Sequence, residues 1–359
     1  MSRVIIVGAG VLGAAIGWRL AKAGHGVTLI DPTPGGQASP GSFAWLNASM
    51  AEDPEYNLLR HQSLEIWRSM KQADPSVPIE FAGAILWEQD HFDLNAIAAS
   101  HDKLGRPTSW LDGPATAARE PAVKALPDRA LFAEGDGYGD PVAITRWFLD
   151  QAQAAGATLR AGEEVREVLV HDGRVTGART DARGIDADHV IFAAGIRLSE
   201  MLDRLKLRMA MDNQAGLLAR TSAGTGAISS MLATPGVHVW QGADGGYLFG
   251  ADFGGGDTIE DPHQCAAQVL KELRSVLAGT DDCEIESITV RERPMPADGR
   301  PAIGAFGPEG LYVVCTHSGM TLAPVIAEMV TREIGDGQED PRLAPYRPGR
   351  ASLAAGTAP

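Results

Sequence analysis

A chain of 359 residues with 44% apolar and 21% charged residues can bury a sizeable core and is long enough for two domains, which excludes a disordered or fibrous class. Its net charge of −15 excludes the basic face that nucleic acid or an anionic membrane would need. Cys265, Cys283 and Cys315 are odd in number and far apart, which fits neither a disulfide framework nor a metal site, so each reads as a reduced thiol.

The ordered pattern starts at Arg3, leaving no room for a signal peptide, and no apolar run is long enough to span a bilayer. The expected location is the cytoplasm. Residues 4–7 read as a strand, the turn Gly8, Ala9, Gly10, Val11, Leu12, Gly13 follows, a helix comes next, and residues 27–30 form a second strand ending at Asp31. A GxGxxG alone is a weak signal. Placed between a strand and a helix, with an acid about twenty residues on, it is a dinucleotide-binding fingerprint.

Each residue of the fingerprint has a physical task. Gly8 permits the tight turn, Gly10 lets a diphosphate approach the backbone, and Gly13 and Gly17 remove side chains where the helix crosses the sheet. The first turn of the helix offers unpaired N–H groups and a positive dipole end to phosphate. Asp31 would accept from adenosine ribose hydroxyls, and its charge disfavours a 2′-phosphate.

A breaker-rich loop occupies residues 32–42. Helices are expected at residues 53–73, 92–104, 141–155, 262–277 and 318–334, with a strand at residues 81–87. Short strands with tight turns fill residues 158–192, including a turn at Asp172-Gly173, and the strand at 190–193 empties onto Ala194 and Gly195. From residue 207 to 253 the strands alternate as in an antiparallel sheet. Strands at 285–291, 301–303 and 311–314 lead to the last helix, and the tail rich in Gly, Pro and Ala is expected to fray.

Nucleotide-binding signatures thus stand at the start, the middle and the end, separated by blocks suited to an antiparallel sheet. The expected class is α/β: a Rossmann-type FAD-binding domain, interleaved with an α+β substrate domain built on an antiparallel sheet. The expected boundaries are 1–80, 141–206 and 293–335 for the FAD-binding parts, 81–140 and 207–292 for the substrate domain, and 336–359 for a flexible tail. A two-block nicotinamide dehydrogenase fits this order poorly.

Six segments carry a resemblance to a known family: VIIVGAGVLGAAIGWRLAKAGHGVTLID at the start, QASPGSFAW at 37–45, GDPVAITRWFLDQAQAAGA at 139–157, VIFAAG at 190–195, RPMPADGRPAIG at 293–304 and THSGMTLAP at 316–324. Together they resemble the D-amino acid oxidase family of FAD-dependent oxidoreductases, which includes D-amino acid dehydrogenases, glycine oxidase and sarcosine oxidase. The resemblance implies that Ser39, Ser42, Phe43 and Ala44 lie on the loop passing the diphosphate and reaching the flavin ring. It implies that the main chain of Val165 meets the adenine and that Ser318, Gly319, Met320 and Thr321 present a helix start to the flavin.

Arg293 matches the arginine that clamps the substrate carboxylate in relatives, a task suited to a planar, permanently charged fork. Arg291 and Arg300 are nearby alternatives. His317 reads either as an acid or base or as a hydrogen-bonding loop residue. Tyr247 and Trp240 read either as walls of the substrate cavity, with Tyr247 donating to a carboxylate, or as packed sheet aromatics. His238 shares the Trp240 face.

The implied reaction is oxidation of a small amino acid or secondary amine, a D-amino acid or N-substituted glycine, to an imine by hydride transfer to flavin N5. Oxidation of a 2-hydroxy acid and a non-catalytic FAD-binding subunit are the alternatives. Some relatives link FAD through a cysteine near the arginine-proline block or a histidine after the ribose acid. Residues 293–304 contain no cysteine and residues 32–50 no histidine, so FAD is expected to bind non-covalently. The electron acceptor is oxygen or a quinone or other carrier; no lysine occurs between Lys206 and Lys271, where sarcosine oxidases place one above the flavin, which favours a dehydrogenase. The stretch Asp212-Asn213-Gln214-Ala215-Gly216 departs from many relatives, which carry a proline and a basic residue there.

Overall fold

The structure is a computed structural model that describes residues 1–49, 53–87, 93–251 and 259–354. The chain divides into two compact units, one of Met1–Pro40, Val142–Gln214 and Glu292–Pro359, the other of Gly41–Pro141 and Ala215–Arg291.

The first unit is built on a six-stranded sheet in the order Ala302–Ala305, Leu311–Cys315, His189–Phe192, Arg3–Val7, Gly26–Asp31, Thr158–Ala161. Its strands run parallel except Ala302–Ala305, which is antiparallel to Leu311–Cys315. Near-continuous apolar runs such as Val4, Ile5 and Ile6 suit a sheet covered on both faces. Helices Val11–Lys22 and Gly319–Asp336 pack along each other, and Trp18 meets Trp147 and Phe148 with ring centroids 5.4 and 5.8 Å apart. An antiparallel meander, Val165–His171, Arg174–Thr180 and Gly184–Asp186, completes the unit.

The second unit holds an eight-stranded sheet: Ile285–Arg293, Gln214–Ala223, Gly246–Gly250, Val237–Gln241, Met231–Thr234, Ala84–Leu86, Ala130–Ala133, Thr108–Leu111. Met231–Thr234 pairs with Ala84–Leu86 in parallel, while Gly246–Gly250, Val237–Gln241 and Met231–Thr234 follow one another antiparallel. Alternate residues feed two separate cores. Ile85, Phe132, Leu232, Val239, Tyr247 and Phe249 pack with helix Pro262–Val276, whereas Leu86, Leu131, Met231 and Trp240 pack with Phe43, Trp45 and Tyr138.

Three expectations change. Residues 41–80 join the second unit because Trp45–Leu46 and Ile79–Glu80 both pair with Gly137–Gly139, far along the chain. The strand expected at 81–87 is shortened to Ala84–Leu86, with Ile79–Glu80 a separate strand before it; between them Gly83, at φ 80°, sits where any Cβ would meet the Phe132 ring at 2.4 Å. The tail is folded through residue 354: turns Pro341–Tyr346 and Ala351–Leu353 bury Leu343, Tyr346 and Leu353, while Arg347 pairs with Glu333 and Arg350 with Asp298. The helix expected at 92–104 is Leu94–Lys103, capped by the Asp93 carboxylate; Phe92 and Phe253 lie outside the described residues.

Candidate active site

In the first unit Gly8 and Gly13 sit where side chains cannot. Gly8 has φ 107°, and a Cβ there would lie 2.3 Å from the Ala193 carbonyl oxygen, at the end of the neighbouring strand. A Cβ on Gly13 would lie 2.0 Å from the Gly8 oxygen, and one on Gly17 3.0 Å from Leu29. Gly10 caps helix Val11–Lys22 without a side-chain bond, and no acid occupies the first turn. The Val11 N–H donates to Ser39 Oγ at 3.1 Å, and Gly36, at φ 75°, packs against Gly10. Gly10, Gly36 and the Ser39 hydroxyl therefore lie against the positive end of a helix.

A second helix start lies beside the first. A Cβ on Gly319 would stand 3.3 Å from Val11 Cγ1 and 3.6 Å from Leu12 Cγ, so helix Gly319–Asp336 begins against helix Val11–Lys22. Ser318 is its N-cap, its own N–H donating to Thr316 Oγ1. His317 is exposed, with Nε2 3.1 Å from Ser318 Oγ. Met320 and Thr321 are buried in the first turn. Two helix starts, and with them two positive dipole ends, thus lie side by side in this unit.

The Asp31 carboxylate accepts from Ala9 N–H at 2.6 Å and Thr33 N–H at 2.8 Å, which ties the acid to the glycine turn and leaves further acceptor capacity. Burial raises its pKa, opposed by those two bonds and by the charge of Arg197. Arg197 follows the Ala194-Gly195 turn, where Gly195 has φ 57°, and pairs with Glu164 and Glu200. Val165 is buried, its carbonyl accepting from Arg204. Arg293, half-buried, closes strand Ile285–Arg293. The residues after it are held by the first two residues of the unusual 212–216 stretch: Asp212 N–H donates to the Met295 carbonyl at 2.8 Å, and Met295 N–H to Asn213 Oδ1.

In the second unit, Ser42, Phe43 and Ala44 form a tight turn. Ala44 has φ 52°, a left-handed conformation that costs an alanine roughly 1 kcal/mol. Its N–H donates to Ser42 Oγ at 3.1 Å. The Phe43 carbonyl accepts from the Trp240 indole at 2.9 Å, and the Trp45 indole donates to buried Asp136 at 3.1 Å. Of its two readings, Tyr247 has the surroundings of a packed sheet aromatic: it is fully buried on the sheet face opposite Trp240, with its hydroxyl donating to the Gly226 carbonyl. Its phenol is already committed, and it packs as a core aromatic.

Residues 3–333 match the DAO family, described as FAD dependent oxidoreductase. This chain belongs to that family. It is 26% identical to the uncharacterized oxidoreductase YurR of Bacillus subtilis, covering 98% of this chain and all of the relative. It is 23% identical to a D-amino acid dehydrogenase of Cereibacter sphaeroides, covering 94% and 92% of the two chains. The structure of an L-amino acid deaminase from Proteus vulgaris superposes with a TM-score of 0.89 at 20% identity, covering 98% of this chain and 94% of the other.

FAD is the cofactor of the DAO family, and the residues present fit it: glycines clear a path to two helix starts, with a partly desolvated acid beside them. Sequence reasoning missed Gly36, Arg197 and Asp136. Gly36 had a signal, since a Gly-Gly pair in a loop marks close backbone approach. Arg197 and Asp136 had none, because their partners are remote in sequence or carry no motif.

Proposed function

We infer that the protein oxidises a small carboxylate-bearing amine, an amino acid or a secondary amine, using non-covalent FAD. The observation that carries this reading is the pair of abutting helix starts over the glycine turn, in a chain of the FAD dependent DAO family. The Gly8–Gly13 turn, Ser39 and the start of helix Val11–Lys22 would hold the diphosphate. Asp31 would hold the ribose, the Val165 main chain the adenine, and Ala194 and Gly195 would border them. Ser318, Gly319, Met320 and Thr321 would present donors to the ring, with Ser42, Phe43 and Ala44 on the loop toward it.

When bound, FAD supplies a two-electron acceptor for the C–H beside the amine nitrogen. Arg293 would fix the carboxylate through its fork, and the exposed His317 would exchange the ammonium proton with solvent. Relatives named for D- and for L-amino acids both lie near this chain, so stereochemistry is not carried over from either name. The acceptor that reoxidises the cofactor is oxygen or a quinone-type carrier. Among the described residues, no helix is long and apolar enough to cross a membrane.

An anaerobic screen tests the reading. D- and L-amino acids, N-methyl amino acids, proline derivatives and 2-hydroxy acids are mixed with the holoenzyme, and the visible flavin band is followed. At least one amine is expected to bleach it, and Arg293→Ala to raise the concentration required by roughly ten- to a hundredfold. Bleaching by 2-hydroxy acids alone, or by nothing, would overturn it.

A further inference from the structure

Ala44 sits in a conformation that L residues avoid, so something must hold it there. Two indole N–H groups flank it. Trp240 Nε1 donates to the carbonyl of Phe43, the peptide that enters Ala44, at 2.9 Å. Trp45, the next residue, is anchored through Nε1 to Asp136 Oδ2 at 3.1 Å. Both donors are buried, Trp240 at 3% and Trp45 at 8% exposure.

The anchors are themselves fixed. Asp136 has no exposure and pairs with Arg106 at 3.0 Å, a guanidinium with a 2% exposed side chain, and also accepts from Ser49 Oγ at 2.8 Å. Trp240 stacks on Tyr138, with centroids 5.1 Å apart and planes 24° from parallel, and the Tyr138 hydroxyl donates to the Ser229 carbonyl. Buried hydrogen bonds of this kind are costly to leave unmade, so the turn has one low-energy arrangement.

The geometry points to Trp240 as a positioning residue: with Trp45 and Asp136 it clamps Ala44 in its left-handed turn, so that the Ser42–Ala44 backbone meets the flavin already shaped. This inference rests on the proposal that residues 42–44 reach the flavin. It replaces a cavity-wall role for Trp240 with control of backbone conformation.

Three variants test it: Ala44→Val, Trp240→Phe, and Trp240→Phe combined with Ala44→Gly. Each is stripped of FAD and titrated with it, recording the dissociation constant, the visible spectrum of the bound flavin and the thermal midpoint of the apoprotein. A β-branched residue at positive φ must displace the turn. Ala44→Val is therefore expected to weaken FAD at least tenfold and to shift the spectrum. Trp240→Phe is expected to weaken it by about tenfold, consistent with one lost buried hydrogen bond. Glycine at 44 adopts the turn without strain, so the double variant should recover most of that loss. A residue that merely filled space would not be rescued this way.

An unchanged dissociation constant and spectrum in Trp240→Phe, or no recovery in the double variant, would overturn the clamp while leaving the loop's contact with flavin intact. No response to Ala44→Val would overturn that contact and the clamp with it. Should Trp240→Phe fail to fold, Trp45→Phe removes the other indole donor and carries the same expectations.

Discussion

Asp31 is held to the glycine turn by two backbone N–H groups, yet burial keeps its pKa above the ordinary carboxylate value. The folded apoprotein therefore binds a proton more readily there than the unfolded chain does. This group's contribution to apoprotein stability is fully present below the ordinary value of 3.8 and is lost as pH rises through the raised one. Ribose hydroxyls donating to the carboxylate would favour its charged form and lower the pKa again. Binding then releases a proton between the two values. FAD affinity, followed by flavin fluorescence against pH, should rise through that window and level off above it, and Asp31→Asn should flatten the slope. A wild-type affinity independent of pH there would separate Asp31 from the ribose.

At the scale of elements, the legible parts were those whose signals are local. The strand, glycine turn, helix and Asp31 could be read because each constraint lies within a few residues of the next, and the Gly8 and Gly13 approaches follow from that order. The aromatic strands could not be assigned a face. Tyr247 and Leu248 point to opposite cores, and both faces of that sheet are apolar, so alternation shows that neighbours diverge without saying which way. The Gly, Pro and Ala content of the tail suggested fraying, whereas its order comes from long-range pairs.

Arg350 is one such pair, donating to both oxygens of Asp298 at 2.7 Å. Although burial alone would raise the Asp298 pKa, bonds from Arg350 and Ser352 pull it down to about 2. Its contribution is therefore present above the ordinary carboxylate value and lost as pH falls through about 2. Arg350→Ala should destabilise the protein by about 2 kcal/mol at neutral pH, with less of that difference left in acid. Denaturant titrations at neutral pH and near pH 3 check both parts, and an equal loss at the two would contradict this assignment.

Across the molecule, the family and the fold agree with an interrupted chain in which one unit is assembled from three segments and the other from two. The first unit gathers residues remote in sequence, Gly8, Asp31, Ser39, Ala194 and Gly319, around two helix starts. That convergence is what local sequence patterns leave unstated, because it depends on the last helix returning beside the first. Its consequence is stability linked to cofactor: at a hundredfold excess of FAD over its dissociation constant, binding adds about 2.7 kcal/mol to the folded state. The most direct measurement is an FAD titration of protein stripped of cofactor, followed by flavin fluorescence, visible absorption and thermal unfolding. One FAD is expected to bind per chain, to be released again by denaturation and to raise the unfolding midpoint; folded protein that stays colourless in excess FAD would contradict this reading of the glycine turn.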